Sequence, residues 1–176
     1  MANTYTLISS VTVGGGGAAT ISFTSIPATY TDLLVKLSTR SDRSGNTSAD
    51  QYIQFNGNTS AVYLMWRLMG NGSSPSSDSS SGATSAFVGD ATAATATAST
   101  FANTEIYIPN YTSSNAKSIS IDSVTENNAT QAYQIFNASL WNPATQAAIT
   151  SILIGTVTSN NFVQYSTAYL YGISNA

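Results

Sequence analysis

Apolar residues along this chain recur at every second position over short stretches, the period of a strand that buries one face. Ile21 and Phe23 alternate with Thr20, Ser22 and Thr24, while Leu33, Val35 and Leu37 alternate with Leu34, Lys36 and Ser38. Both segments predict strands with the first-named residues in a core. Further strands are predicted over residues 5–13, 52–55, 61–69, 104–109, 118–125, 131–141, 148–157 and 163–173, with a weaker candidate around Phe87 and Val88. No stretch carries the apolar spacing of an amphipathic helix.

Turn chemistry separates the runs. Pro27 cannot donate to a ladder, so a loop or sheet edge is expected around it. Gly14 to Gly17 predict a plain hairpin loop, and the polar residues 40–49 a surface loop. Asn56-Gly57 predicts a type I′ hairpin turn, because these two residues accept successive positive φ angles, with residues 61–69 as the returning strand. In that strand Val62, Leu64, Trp66 and Leu68 face one way and Tyr63, Met65, Arg67 and Met69 the other. A strand with two largely apolar faces implies a second contact surface beyond the core, with Tyr63, Met65 and Met69 pointing outward. Residues 71–82, mostly Ser and Gly, predict a long exposed excursion that reaches solvent or a neighbouring subunit.

About eight to ten short strands with turns at this spacing predict an all-β fold, a two-sheet antiparallel sandwich of jelly-roll type, as one domain over residues 1–176. A closed barrel is the alternative. The last run places Val163, Tyr165, Thr167, Tyr169, Tyr171 and Ile173 on one face and is expected to be locked into a sheet.

Composition sharpens this picture. Only 7% of the residues are charged, where about 25% is usual, and Ser, Thr, Asn and Gln replace them. Covering such a surface removes little ionic hydration, so extensive protein contact is inexpensive. The five basic residues, Lys36, Arg40, Arg43, Arg67 and Lys117, are too few to neutralise a phosphate backbone, and no nucleic-acid partner is expected. The longest apolar run, residues 61–66, is too short to cross a bilayer, and no basic segment precedes an apolar one; neither a membrane nor a secretory address is expected.

Histidine and cysteine are both absent. That removes the usual general base, the Ser-His and Cys-His nucleophile systems, disulfides and thiolate metal sites. Phosphate-loop, dinucleotide and calcium-loop motifs are also missing, and no cofactor or metal is expected. One enzyme class survives, glycoside hydrolysis by a carboxylate pair, with Glu105 and Glu126 as its candidates; both read more simply as solvated strand residues. Asp32, Arg40, Asp42, Arg43 and Asp50 form a mixed-charge group read as surface ion pairs rather than a metal or sugar site. Ten tyrosines and two tryptophans supply rigid amphipathic area, with Trp66 and Trp141 as candidate sugar platforms. Packing between subunits explains the aromatics better, and the interface candidates are Tyr63, Met65, Trp66, Met69, Tyr165 and Tyr169.

Five segments taken together carry a resemblance: TYTLISSVTV (4–13), ATISFTSIPATYTDLLVKLSTRSD (19–42), QYIQFNGNTSAVYLM (51–65), NTEIYIPNY (103–111) and STAYLYGISNA (166–176). In this order they resemble small virion proteins of tailed bacteriophages of the aquatic and cyanobacterial type. The most specific pieces run from Ser25 to Leu33, from Phe55 to Gly57 and from Leu170 to Ile173, and all look like framework. The resemblance implies a place on the virion rather than a role within it. Related small jelly-roll proteins serve as capsid cement proteins, often trimers, or as fibre tips; the short length, with no heptads or repeats to build a shaft, favours a capsid decoration (cement) protein on the capsid exterior that self-associates as a homotrimer and contacts the major capsid protein. A head or tail fibre knob that binds a host-surface glycan is the alternative.

Overall fold

A computed structural model describes residues 4–128 and 131–174; residues 1–3, 129–130 and 175–176, including the end of the C-terminal motif, lie outside the described residues. Twelve strands and no helix are found there: β1 (Tyr5–Thr12), β2 (Thr20–Phe23), β3 (Asp32–Thr39), β4 (Ser48–Phe55), β5 (Tyr63–Gly70), β6 (Pro75–Ala83), β7 (Ala86–Thr92), β8 (Ala102–Ile108), β9 (Lys117–Glu126), β10 (Ala132–Trp141), β11 (Ile152–Thr156) and β12 (Thr167–Ile173). They build two sheets, one of eight strands in the order β1-β12-β3-β8-β9-β10-β5-β6 and one of four in the order β2-β11-β4-β7. Every ladder between these strands is antiparallel. The chain is an all-β two-sheet sandwich.

Two hairpins, β5–β6 and β9–β10, extend the larger sheet at the β8 side. Without them the eight remaining strands, numbered in chain order, run 1-8-3-6 in one sheet and 2-7-4-5 in the other. The two insertions account for the strands beyond the expected number.

Alternation does the sorting on most strands. Leu33, Val35 and Leu37 on β3 and Ile21 and Phe23 on β2 point into the core, as their period predicts. They meet Ile106 and Ile108, Ile119 and Ile121, and Ile152 and Ile154 from three further strands. At one end Phe55 packs on Trp141 with ring centroids 5.5 Å apart and on Tyr63 at 6.3 Å.

The strand β7 lies closest to the larger sheet, and polar contacts join the two beside its apolar Val88. Thr125 of β9 donates to the Asp90 carbonyl at 2.8 Å and the Asn137 amide of β10 donates to the Phe87 carbonyl, while Thr104 and Ser123, paired within the larger sheet next to Gly89, share a hydrogen bond of 2.9 Å. Small hydroxyl residues suit this approach because Gly89, at φ 100°, leaves no room: a Cβ there would sit 2.2 Å from the Ser123 hydroxyl. Two framework motifs also meet. The Tyr30 ring lies flat enough on Gly172 that a Cβ would fall 2.3 Å from it, and the Thr31 amide donates to the Ile173 carbonyl at 2.8 Å.

Four expectations are corrected. Asn56 and Gly57 do adopt positive φ angles of 53° and 64°, with the Asn58 amide on the Phe55 carbonyl at 2.9 Å, but the turn closes no hairpin. It carries the chain from β4 in the small sheet to β5 in the large one, and Tyr63 fixes the crossing: its hydroxyl accepts from the Phe55 amide at 3.0 Å and donates to the Asn58 carbonyl at 3.1 Å. The Gly14 to Gly17 loop likewise joins strands of different sheets. On β5 the expected facing is reversed, because Tyr63 is the buried residue while Trp66 and Leu68 stand in solvent. Residues 71–82, expected as an excursion, supply most of β6, an edge strand exposed on both faces and held by its ladder to β5.

Two outcomes follow. Gly89→Ala, forced into both a steric clash and an unfavourable φ, is expected to lose about 3 kcal/mol or more of stability in urea unfolding. Asp90 is buried opposite Asp50, and burial first, then the Asp50 charge, pushes its carboxyl up to about 6 from an ordinary 3.8. The folded chain thus keeps this proton in a window where the unfolded chain has lost it. Stability from this group is full below that window and falls as pH rises through it, by about 3 kcal/mol at most. Calorimetry should show Asp90→Asn melting above the parent at about pH 8 and level with it at about pH 3.5.

Candidate contact face of the large sheet

The smaller sheet covers one face of the larger, and the register shows what the other face presents. Cross-strand partners on it form rows that run through all eight strands. One row reads Leu7, Tyr171, Leu34, Tyr107, Ser120, Ala138, Trp66 and Ser79 from β1 to β6. Its neighbour reads Ser10, Tyr169, Lys36, Glu105, Asp122, Phe136, Leu68 and Ser77. Aromatic and aliphatic residues therefore gather at both ends of the face, while β9 contributes Ser120 and Asp122 between them.

At the β5–β10 end, Trp66 is 55% exposed, Leu68 60% and Phe136 53%. These three sit on directly paired positions or one step away, since Phe136 opposes Leu68 and Ala138 opposes Trp66. Ser77 and Ser79 on one side and Ser120 on the other are too short to shield them, which leaves a groove of about 680 Å³ along the patch. Full burial of each such side chain is worth about 1.5 to 3 kcal/mol, so the patch is a site whose energy is unspent in the isolated chain. Arg67, on the opposite side of β5, forms a two-pronged pair with Asp78 of β6 and lies 4.8 Å from the centre of the Phe87 ring. The hydrogen bond to Asp78 raises its pKa, and the pair fixes the edge strand to its neighbour.

At the other end, Tyr5, Tyr169 and Tyr171 surround Leu34 beside an ion pair of Lys36 with Glu105. Tyr107, next along, donates to Asp32 at 2.8 Å, and the same carboxylate accepts from the Asn110 amide at 2.8 Å. That bond and burial raise the Tyr107 pKa.

The interface candidates are dispersed by this geometry. Trp66 and Tyr169 lie on the outer face, and Met65 and Met69 are half-buried on the inner side of β5. Tyr63 is corrected: it is fully buried, burial pushes its phenol up to about 12, and it offers nothing to a partner. Trp141 is corrected as a sugar platform, because it is buried against Phe55 with the Lys117 ammonium 6.0 Å from its ring. That ammonium is itself enclosed, donating to the Ser113 and Asn115 carbonyls, and burial lowers its pKa.

The charged candidates separate as well. Glu105 opposes Asp122, whereas Glu126 lies four residues further along β9, about 13 Å at strand rise and beyond the spacing of a glycosidase pair. Asp32 holds Tyr107, Arg40 clamps the carbonyls of Ala96, Thr97 and Thr100, Asp42 accepts from Asn161, and Arg43 donates to the Ser48 carbonyl. Among the described residues no three His, Cys, Asp or Glu side chains gather as a metal site, and no helix is long and apolar enough to cross a membrane. Sequence reasoning missed Leu68 and Phe136. The available clue was phase, since Phe136 is apolar yet out of step with Ile135 and Trp141.

Comparison of the chain with protein-family models, curated proteins and solved structures returns no match.

Tyr165 departs from its expected place on the last strand. It precedes β12 with φ 72°, and it is 67% exposed. The other non-glycine residues described with positive φ are Ser or Asn; a bulky ring there is strained. Its backbone is held by a bond from its amide to the Val13 carbonyl at 3.0 Å, and the ring adds little burial in return. Tyr165→Asn is therefore expected to raise the melting temperature by about 2 to 4 °C in calorimetry, the equivalent of about 1 kcal/mol of relieved strain.

Proposed function

We propose that the chain is a non-enzymatic structural protein of a bacteriophage virion, a capsid decoration (cement) protein that presses the outer face of its large sheet against its neighbours. The observation that carries this reading is the patch of Trp66, Leu68 and Phe136, three large apolar side chains each more than half exposed on paired strands. Partners would be other copies of the chain, as a homotrimer, and the major capsid protein. Many such contacts repeated by symmetry add free energy to a shell without chemistry. The 1-8-3-6 and 2-7-4-5 connectivity is read as that of a jelly roll, and the sequence segments supply the likeness to phage virion proteins.

The reading is tested on purified particles. A decoration protein is expected at hundreds of copies per virion by quantitative mass spectrometry; a few tens would place it on a tail or fibre, and none would remove it from the particle. Changing Trp66, Leu68 and Phe136 together to Ser should abolish retention on the shell while the isolated chain keeps its melting temperature. Light scattering should give a mass three times 18.3 kDa for the free protein.

A further inference from the structure

The tyrosine end of the outer face is a second site with a different chemistry. A groove of about 600 Å³ runs over β12, β3 and β8, lined by Tyr5, Tyr169 and Tyr171 with Lys36, Glu105 and Asn103. We propose that this groove binds a neutral saccharide, an inference that stands independently of a place on a capsid. Tyr5 is 56% exposed and Tyr169 37%, so amphipathic rings are free to meet the C–H face of a sugar. Side chains bearing an amide, a carboxylate and an ammonium stand beside them to take the hydroxyls, the mixture of apolar area and few polar groups that small-ligand sites show.

The polar group has no strong structural purpose. Lys36 and Glu105 are each about half exposed, and such a pair contributes about 1 kcal/mol or less. Both extend from strands at fixed register positions, so their donors and acceptors are well placed for a ligand.

Charge selects the class. Lys36 is matched by Glu105, and Asp122, opposite Glu105 in the same row, adds a second acid beyond that pair, which disfavours an anionic sugar. Position disfavours an added strand. The groove lies over β12, β3 and β8, each paired on both sides, so an extended peptide lying in it finds no ladder to join; only Tyr5 reaches it from the edge strand β1. Only side chains can recognise the occupant, as suits a saccharide.

The full-length chain is to be applied to an array of neutral and acidic bacterial glycans, with affinities for retained glycans measured by titration calorimetry. Neutral glycans are expected to bind, with Tyr169→Ala and Glu105→Gln each weakening the affinity about tenfold or more and Val157→Ser, an exposed change in the turn after β11, leaving it unchanged. Should Tyr169→Ala lower the melting temperature, Tyr5→Ala on the edge strand serves instead. Retention of acidic glycans alone, no retention at all, or full affinity in both folded groove variants overturns the proposal. None of these results bears on capsid copy number.

Discussion

Four strands packed on eight set everything else in this molecule. The smaller sheet buries one face of the larger, with β7 drawn close enough that Gly89 admits no side chain and short hydroxyl residues line the contact. Among the described residues no layer covers the opposite face of the larger sheet, yet it carries Trp66, Leu68 and Phe136 at one end and a tyrosine cluster at the other. A strand has only two faces, so an apolar residue of the larger sheet that is out of phase with the core is placed on that uncovered side. The exposed apolar face is a direct consequence of the sandwich.

Low charge shapes the same surface. With 7% charged residues, most of the basic and acidic groups are committed to fixed internal roles: Arg40 to loop carbonyls, Asp32 to Tyr107 and Asn110, Arg67 to Asp78. The edge strand β6 is guarded by little beyond the start given by Pro75 and one acid that is already paired. Few ions must be dehydrated when either the face or the edge is covered. A surface of this kind favours repeated contact over solvation.

Much of the fold was legible because alternation needs only local information. Leu33, Val35 and Leu37 face the core as their spacing requires, and the positive φ angles at Asn56 and Gly57 follow from residue type. What the turn connects did not follow, since sheet partners are chosen by long-range packing, here by the Tyr63 hydroxyl between Phe55 and Asn58. On β5 both phases are apolar, and period alone does not say which phase is inside; register errors of this sort invert every side chain. The serines of β6 carry no apolar alternation, so their strand depends on a neighbour rather than on their own sequence. Of the candidate site, Trp66 and Tyr169 were legible as large aromatics, whereas Leu68 and Phe136 became visible only when paired strands brought them together.

The central claim, that the uncovered face of the large sheet is a contact surface, is tested most directly by oxidative footprinting of Trp66 in the free chain and in intact particles. The account predicts rapid oxidation of Trp66 in the chain diluted until it is monomeric and strong protection on the particle. Equal oxidation in both states would contradict it.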